Sequence, residues 1–301
     1  MGIRTILVPL DGSDASKPAL ETAFMVGRDL AANVKVLHMR ADPKDAVPLL
    51  GEGMSGTMIE EMIELAETEA AKRAAKARAM FDGLCAEHGI AVVDKPAPAE
   101  KVSASWTEDT GREDEATAWR GRLVDLIVVG RPTSQLEGTS VMTLNAALFE
   151  TGRPVLVAPP SAPGGLGRKV AISWNGSAQA ARAVSAALPY IKRSDGVVIL
   201  TVESDRTSAS AAPELAAYLA WYGVKVETKT FAATDRAVGA ELLKECADAG
   251  ADLLVMGAYT HSRMRQLILG GVTRHVLAEA SDHPAISMKI TLLQSGEFVR
   301  R

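Results

Sequence analysis

Asp252-Leu-Leu-Val-Met-Gly257-Ala-Tyr-Thr260-His-Ser-Arg-Met-Arg-Gln-Leu-Ile-Leu-Gly270-Gly271-Val272-Thr273-Arg-His-Val-Leu-Ala-Glu-Ala is the stretch that decides how the chain is read. Its opening is an apolar run, residues 252–256, that stops at a glycine, which predicts a buried strand and a backbone turn. A polar, basic loop follows with His261, Arg263 and Arg265. Two glycines, a threonine and a helical pattern built on Val272, Val276 and Leu277 complete the unit. Strand, glycine turn, basic loop, Gly-Gly-x-Thr and helix can hold a phosphate. Glycines let the backbone approach, and amides at a helix start, aided by the helix dipole, favour an anion.

Elsewhere the chain repeats this organisation. Asp125-Leu-Ile-Val-Val-Gly130 matches Asp252 to Gly257. Thr5-Ile-Leu-Val-Pro-Leu-Asp11-Gly12-Ser13 matches Lys169-Val-Ala-Ile-Ser-Trp-Asn175-Gly176-Ser177. The strand Val34 to Met39 matches Val197 to Val202, and Gly152 to Ala158 matches His283 to Met288. Four matching elements in the same order make an internal duplication. Helices are predicted over 16–31 and 178–191. Third strands are predicted at Ala91-Val-Val and at Lys225 to Thr230. Apolar strands alternating with helices predict an α/β class with a parallel sheet covered on both faces. The Pro- and Gly-rich segment Pro159 to Gly167 reads as a linker. The predicted domains are therefore 1–160 and 168–292. Only the first half carries a long insertion, Asp42 to Gly89, with a charged helix around Ile59 to His88. Within it Glu60/Glu64 and Glu69/Arg73 fall at helical spacing, and the helix reads as a crossover with a solvated face.

The 301 residues suit two domains, and 47% hydrophobic content is enough for ordinary cores. A net charge of −4 gives no pull toward nucleic acid or an anionic membrane. No apolar run approaches the roughly 18 residues that span a bilayer, and no leader peptide is visible, so the cytoplasm is the expected compartment. The two cysteines, Cys85 and Cys246, lack nearby metal-ligating partners and read as small core hydrophobes. No metal site is expected.

With strand order 3-2-1-4-5, a ligand binds where the order reverses, beyond the ends of strands 1 and 4. Those ends are Asp11 and Gly130 in the first half, and Asn175 and Gly257 in the second. The spacing Gly257-x2-Thr260-x9-Gly270-Gly271 resembles the Gly-x2-Gly-x9-Gly-Ser/Thr loop of the universal stress protein family. Ile6 to Ser13 also resembles the opening of such a domain. The resemblance covers nearly the whole chain and implies two tandem, open, five-stranded Rossmann-like domains of order 3-2-1-4-5. It goes with a pseudo-dimer joined through the last strands, Pro154–Ala158 and Ala285–Lys289, and with a homodimer of such units.

The resemblance further implies that ATP, ADP or AMP lies across the ends of strands 1 and 4. The residue after strand 1 serves ribose or metal, the end of strand 2 serves the adenine, and the glycine loop takes the phosphates. In the second half this points to Asn175, Val202, Met256, Gly257, Thr260, Arg263, Gly270, Gly271, Val272 and Thr273. Asn175 stands where a carboxylate is usual, so Mg²⁺ is expected to bind weakly or not at all. Thr260 replaces a family glycine. In the first half the same positions are Asp11, Met39 and Gly130, but the loop after Gly130 has Pro132 and Glu137 and no second glycine, so this site is expected to be degenerate.

No Gly-x-Ser-x-Gly elbow and no Gly-x4-Gly-Lys-Ser/Thr loop is present, and Ser177, His261 and Asp252 follow no nucleophile pattern. No catalytic residue is assigned, and at most a weak ATPase is expected. The leading expectation is a stress-response protein that binds an adenine nucleotide in its second half. The alternative is a nucleotide-independent interaction or scaffold protein.

Overall fold

The computed structural model describes residues 2–14, 16–43, 55–96, 100–131, 138–161, 164–203, 211–233, 238–258, 271–279 and 290–294. It divides into two compact units, one made of Ile3–Gly130 with Gly138–Thr151, the other comprising Gly152–Arg301.

The first unit runs β1 (Thr5–Pro9), α1 (Lys17–Leu30), β2 (Asn33–Arg40), α2 (Gly56–Glu87), β3 (Ala91–Val92), β4 (Ser103–Thr110), α3 (Glu113–Gly121), β5 (Leu126–Gly130) and α4 (Gly138–Glu150). Its strands lie in the order β3-β4-β2-β1-β5 and all pair in parallel. Ile6, Val8, Val34, Ile127 and Val128 are completely buried in the sheet. A sheet covered by helices on both faces asks for such continuous apolar runs. One expectation is corrected. Ala91-Val-Val supplies only the two-residue edge strand β3, and the strand beside β2 is β4, paired from Asn33↔Ser103 to Arg40↔Thr110. Its sequence, Ser-Ala-Ser-Trp-Thr-Glu-Asp-Thr, has no apolar run because its second half is exposed.

The second unit runs β6 (Val155–Ala158), β7 (Lys169–Ser173), α5 (Ala178–Ile191), β8 (Gly196–Val202), α6 (Ala211–Ala220), β9 (Val226–Phe231), α7 (Val238–Asp248), β10 (Leu253–Gly257), α8 (Gly271–Glu279) and β11 (Ile290–Gln294). The strand order is β6-β11-β10-β7-β8-β9. Apart from β6 this is the expected 3-2-1-4-5 arrangement, with parallel pairing throughout. The strand β6 closes the edge by pairing antiparallel to β11, with Leu292↔Leu156 at the centre. The strand that pairs with β10 is Ile290–Gln294, just beyond the expected Ala285–Lys289, which lies outside the described residues.

In each unit an aspartate ties the start of strand 1 to strand 4. Asp125 Oδ2 accepts from the backbone N–H of Arg4 and Thr5 and from the Thr5 hydroxyl, at 2.9, 3.0 and 3.0 Å. Asp252 accepts from the N–H groups of Gly167, Arg168 and Lys169 at 3.0, 3.0 and 3.2 Å. Three donors on one carboxylate satisfy backbone groups that the sheet leaves unpaired, and charge-assisted bonds of this kind are the strong ones. Cys85 and Cys246 are buried and free, and among the described residues no helix is long and apolar enough to cross a membrane.

Candidate functional site

Both repeats build the turn after strand 1 in the same way. Asp11 Oδ1 accepts from the N–H and the hydroxyl of Ser13, at 2.9 and 2.7 Å. Asn175 Oδ1 accepts from the N–H of Ser177 at 3.1 Å. Between them sit Gly12 and Gly176, at φ +81° and +72°, a left-handed conformation that glycine takes without strain. Ser177 then caps α5, its hydroxyl accepting from Ala180 N–H at 3.1 Å. Among the described residues that leaves the Asn175 amide nitrogen as a donor without a partner, at an exposed position.

The two turns differ in what lies over them. A Cβ added to Gly12 would fall 2.9 Å from the Arg73 carbonyl oxygen and 3.1 Å from Ala77, both on α2. Lys76 of α2 also pairs with Asp14 at 3.0 Å. Helix α2 therefore lies directly on the first repeat's turn. A Cβ on Gly176 would meet no described atom within 4 Å, and both Asn175 and Gly176 are exposed.

The first repeat's strand ends are also acidic. Glu113, at the start of α3, accepts from the Thr143 hydroxyl of α4 at 2.8 Å. Burial pushes its carboxyl up to about 7, the negative charges of Asp11 and Asp114 push the same way, and the Thr143 hydrogen bond pulls back. A phosphate brought beside Asp11 would meet negative charge, and beside Glu113 a carboxyl that burial already keeps from ionising fully. Sequence reasoning missed Glu113 because the residues that make it notable, Asp11 and Thr143, are remote along the chain.

In the second repeat Met256 is buried in β10, Val202 is half-buried at the end of β8, and Gly257 ends β10. Gly257 has a packing role. A Cβ there would stand 2.6 Å from the Ala180 nitrogen and 2.9 Å from Gln179, so its absence lets the first turn of α5 press against the strand end. Gly271 begins α8, Val272 is half-buried and Thr273 is buried. The other loop candidates, Thr260, Arg263 and Gly270, lie outside the described residues, as do Pro132, Glu137 and His261. In the first repeat Asp11 is at the turn described above, and Met39 and Gly130 are half-buried at the ends of β2 and β5.

Two neighbours of the second site escaped the sequence reading. Trp174 stands where the first repeat has Leu10. Its backbone N–H bonds Leu200 O, and its indole N–H donates to Ala211 O at 2.9 Å, fixing the turn against α6. The signal was available as the one large aromatic between strand 1 and the Asn-Gly pair. Thr201, one residue before Val202, is buried, with a hydroxyl that has no hydrogen-bond partner among the described residues. Its counterpart His38 bonds Leu10 O through Nδ1 at 2.7 Å and stacks on Trp106.

Of the groups considered for hydrolysis, Ser177 caps a helix and Asp252 anchors β7, and His261 lies outside the described residues.

Comparison with known proteins gives two matches to the Universal stress protein family model, over residues 2–144 and 168–282. Among solved structures, a universal stress protein from Archaeoglobus fulgidus DSM 4304 superposes with a TM-score of 0.63 at 17% identity, covering 97% of this chain and 96% of that one. One described as a putative universal stress protein from Pseudomonas aeruginosa UCBPP-PA14 gives 0.58 at 14% identity, covering 97% and 93%. A functionally unknown protein from Pseudomonas aeruginosa PAO1 gives 0.57 at 13% identity, covering 97% and 92%. No curated protein matches by sequence.

Proposed function

Because the chain belongs to the universal stress protein family, we propose that its second repeat, residues 168–292, binds an adenine nucleotide beyond the ends of β7 and β10, and that the first repeat, residues 1–160, does not. The observation that carries this reading is the contrast between the two strand-1 turns. Helix α2 lies on Gly12, whereas the turn at Asn175 and Gly176 is open among the described residues. In the reading, the Asn175 amide donates to a ribose hydroxyl, Val202 and Met256 flank the base, and Gly257, Thr260, Arg263, Gly270, Gly271, Val272 and Thr273 form the phosphate loop and helix start. Asn175 brings no charge, so Mg²⁺ contributes little. The protein is then a cytoplasmic, homodimeric regulator of a stress response with at most slow ATP turnover.

The test is to denature the purified protein and identify released small molecules by mass spectrometry. ATP, ADP or AMP near one per chain supports the reading. A different compound, or nothing released together with no thermal shift on adding millimolar ATP, overturns it.

A second reading has its own support. Gly257 is accounted for by the close approach of α5, and Thr273 is buried. Two motif residues thus have packing reasons to be present. On this reading the protein is an interaction or scaffold protein, and a partner bound by the wild type would also be bound by a Gly270→Asp, Gly271→Asp variant.

A further inference from the structure

Helix α2 is 32 residues long, while no other helix among the described residues exceeds 14. Its buried residues, Ala70, Ala74, Ala77, Phe81, Leu84 and Cys85, all lie in its second part. Residues 56–69, about four turns or roughly 21 Å of helix, contain no buried side chain. A core does not explain why these turns are kept.

The surface of these turns is divided. Met58, Met62 and Leu65, spaced four and three apart, form one ridge. Met58 is 51% exposed and Leu65 64%. Ile59, Ile63 and Ala66 continue the apolar arc toward the side that packs on the sheet, and all three are half-exposed. The opposite ridge carries exposed Glu60, Glu61, Glu64 and Glu67, and from Ser55 to Ala71 the chain has no lysine or arginine. Glu69 alone of the five glutamates has an ion pair among the described residues, with Lys72 at 2.8 Å. Glu60/Glu64, Glu61/Glu64 and Glu64/Glu67 are like charges at i,i+4 and i,i+3, which destabilise a helix. The helix dipole does not account for them, since its benefit is confined to the first turn and the first turn of α2 holds no acidic residue.

We propose that residues 56–69 of α2 are a docking surface for a basic amphipathic helix of a partner protein. Methionine side chains adapt to varied apolar shapes, and the glutamate ridge selects lysine- or arginine-flanked partners and rejects acidic ones. Charge decides against the other occupants. A second copy would set glutamates against glutamates, and an anionic lipid surface would be repelled. The contact area of four turns is small, so the complex is weak and salt-sensitive. The inference does not depend on nucleotide binding.

The test uses the full chain and, as probe, a fluorescein-labelled helical peptide with one leucine face and one lysine face. Fluorescence anisotropy reads binding, and hydrogen exchange reads its location. The expected result is saturable binding that weakens with added salt, with new amide protection centred on residues 56–69. Glu60→Lys combined with Glu64→Lys loses roughly tenfold or more in affinity, as the loss of two charge contacts implies. Met58→Ser combined with Leu65→Ser weakens binding at unchanged charge, and Glu227→Lys, on the exposed face of β9, changes nothing. The proposal is overturned by an absence of saturable binding, by protection elsewhere, or by equal affinity for a scrambled peptide of the same composition. Binding to anionic vesicles through residues 56–69, or a dimer that dissociates in the Met58→Ser, Leu65→Ser variant, also overturns it by assigning the surface to a membrane or a second copy.

Discussion

Replacing Glu113 by glutamine changes how the first unit responds to pH. The Glu113 carboxyl is raised from 4.5 to about 7, chiefly by burial, then by Asp11 and Asp114 against the Thr143 hydrogen bond. A folded-state value above the unfolded one means that the folded form holds the proton more tightly. Between pH 4.5 and 7 the folded state therefore binds more protons than the unfolded state, and stability falls as pH rises through that window. Above pH 7 the penalty is complete. A shift of two to three units corresponds to roughly 3 kcal/mol, and because the residue is not fully enclosed the working figure is about 2 kcal/mol. Glutamine keeps an acceptor for Thr143 and carries no charge at any pH. The assay is urea unfolding of wild type and Glu113→Gln at pH 5 and pH 8.5. Hydrogen exchange in β1 and β2 reports the first unit separately from the second. The wild type loses about 2 kcal/mol more than the variant between the two pH values, and the variant is the more stable at pH 8.5. Identical pH dependence in the two proteins would refute the reasoning.

Four further substitutions probe the turns and anchors. Gly176→Ala has a left-handed backbone but no described neighbour, so it costs about 1 kcal/mol, whereas Gly12→Ala adds a clash with α2 and costs roughly 1–3 kcal/mol more. Equal losses in thermal unfolding would mean that α2 does not press on the first turn. Gly257→Ala places a Cβ 2.6 Å from the Ala180 nitrogen and lowers stability by roughly 1–3 kcal/mol, a fall in Tm of several degrees. An unchanged Tm would remove the packing role given to this glycine. Asp252→Ala strands three backbone N–H groups and costs roughly 1–3 kcal/mol in chemical unfolding, with amide exchange quickened first at residues 167–169. A loss below half a kcal/mol would show that water replaces the carboxylate.

Where local pattern and tertiary placement agree, the chain is easy to read. The helices α1 and α5 and the strands β2, β8 and β10 fall within a residue or two of their predicted positions, because apolar runs and cap signals state them locally. The strand β4 was missed because an exposed strand does not need apolar residues. The anchoring role of Asp125 and Asp252 was hidden in plain view. Both open the repeated Asp-Leu-x-Val-x-Gly motif, but the amides they bind belong to the start of another strand. Around the candidate site Gly257 at the end of β10, Gly271 at the start of α8 and Asn175 just after β7 fall where the strand and helix patterns put them. The cover of α2 over Gly12 and the raised Glu113 were not legible in the sequence, since both depend on residues brought together from far along the chain.

The most direct test is calorimetric titration of the nucleotide-free chain with ATP, repeated on a Gly271→Asp variant. The proposed function predicts one site per chain, little change when Mg²⁺ is removed, and at least tenfold weaker binding in the variant, where a carboxylate is set beside the phosphates at the start of α8. Two sites per chain, a site that survives Gly271→Asp, or no binding at millimolar ATP would contradict it.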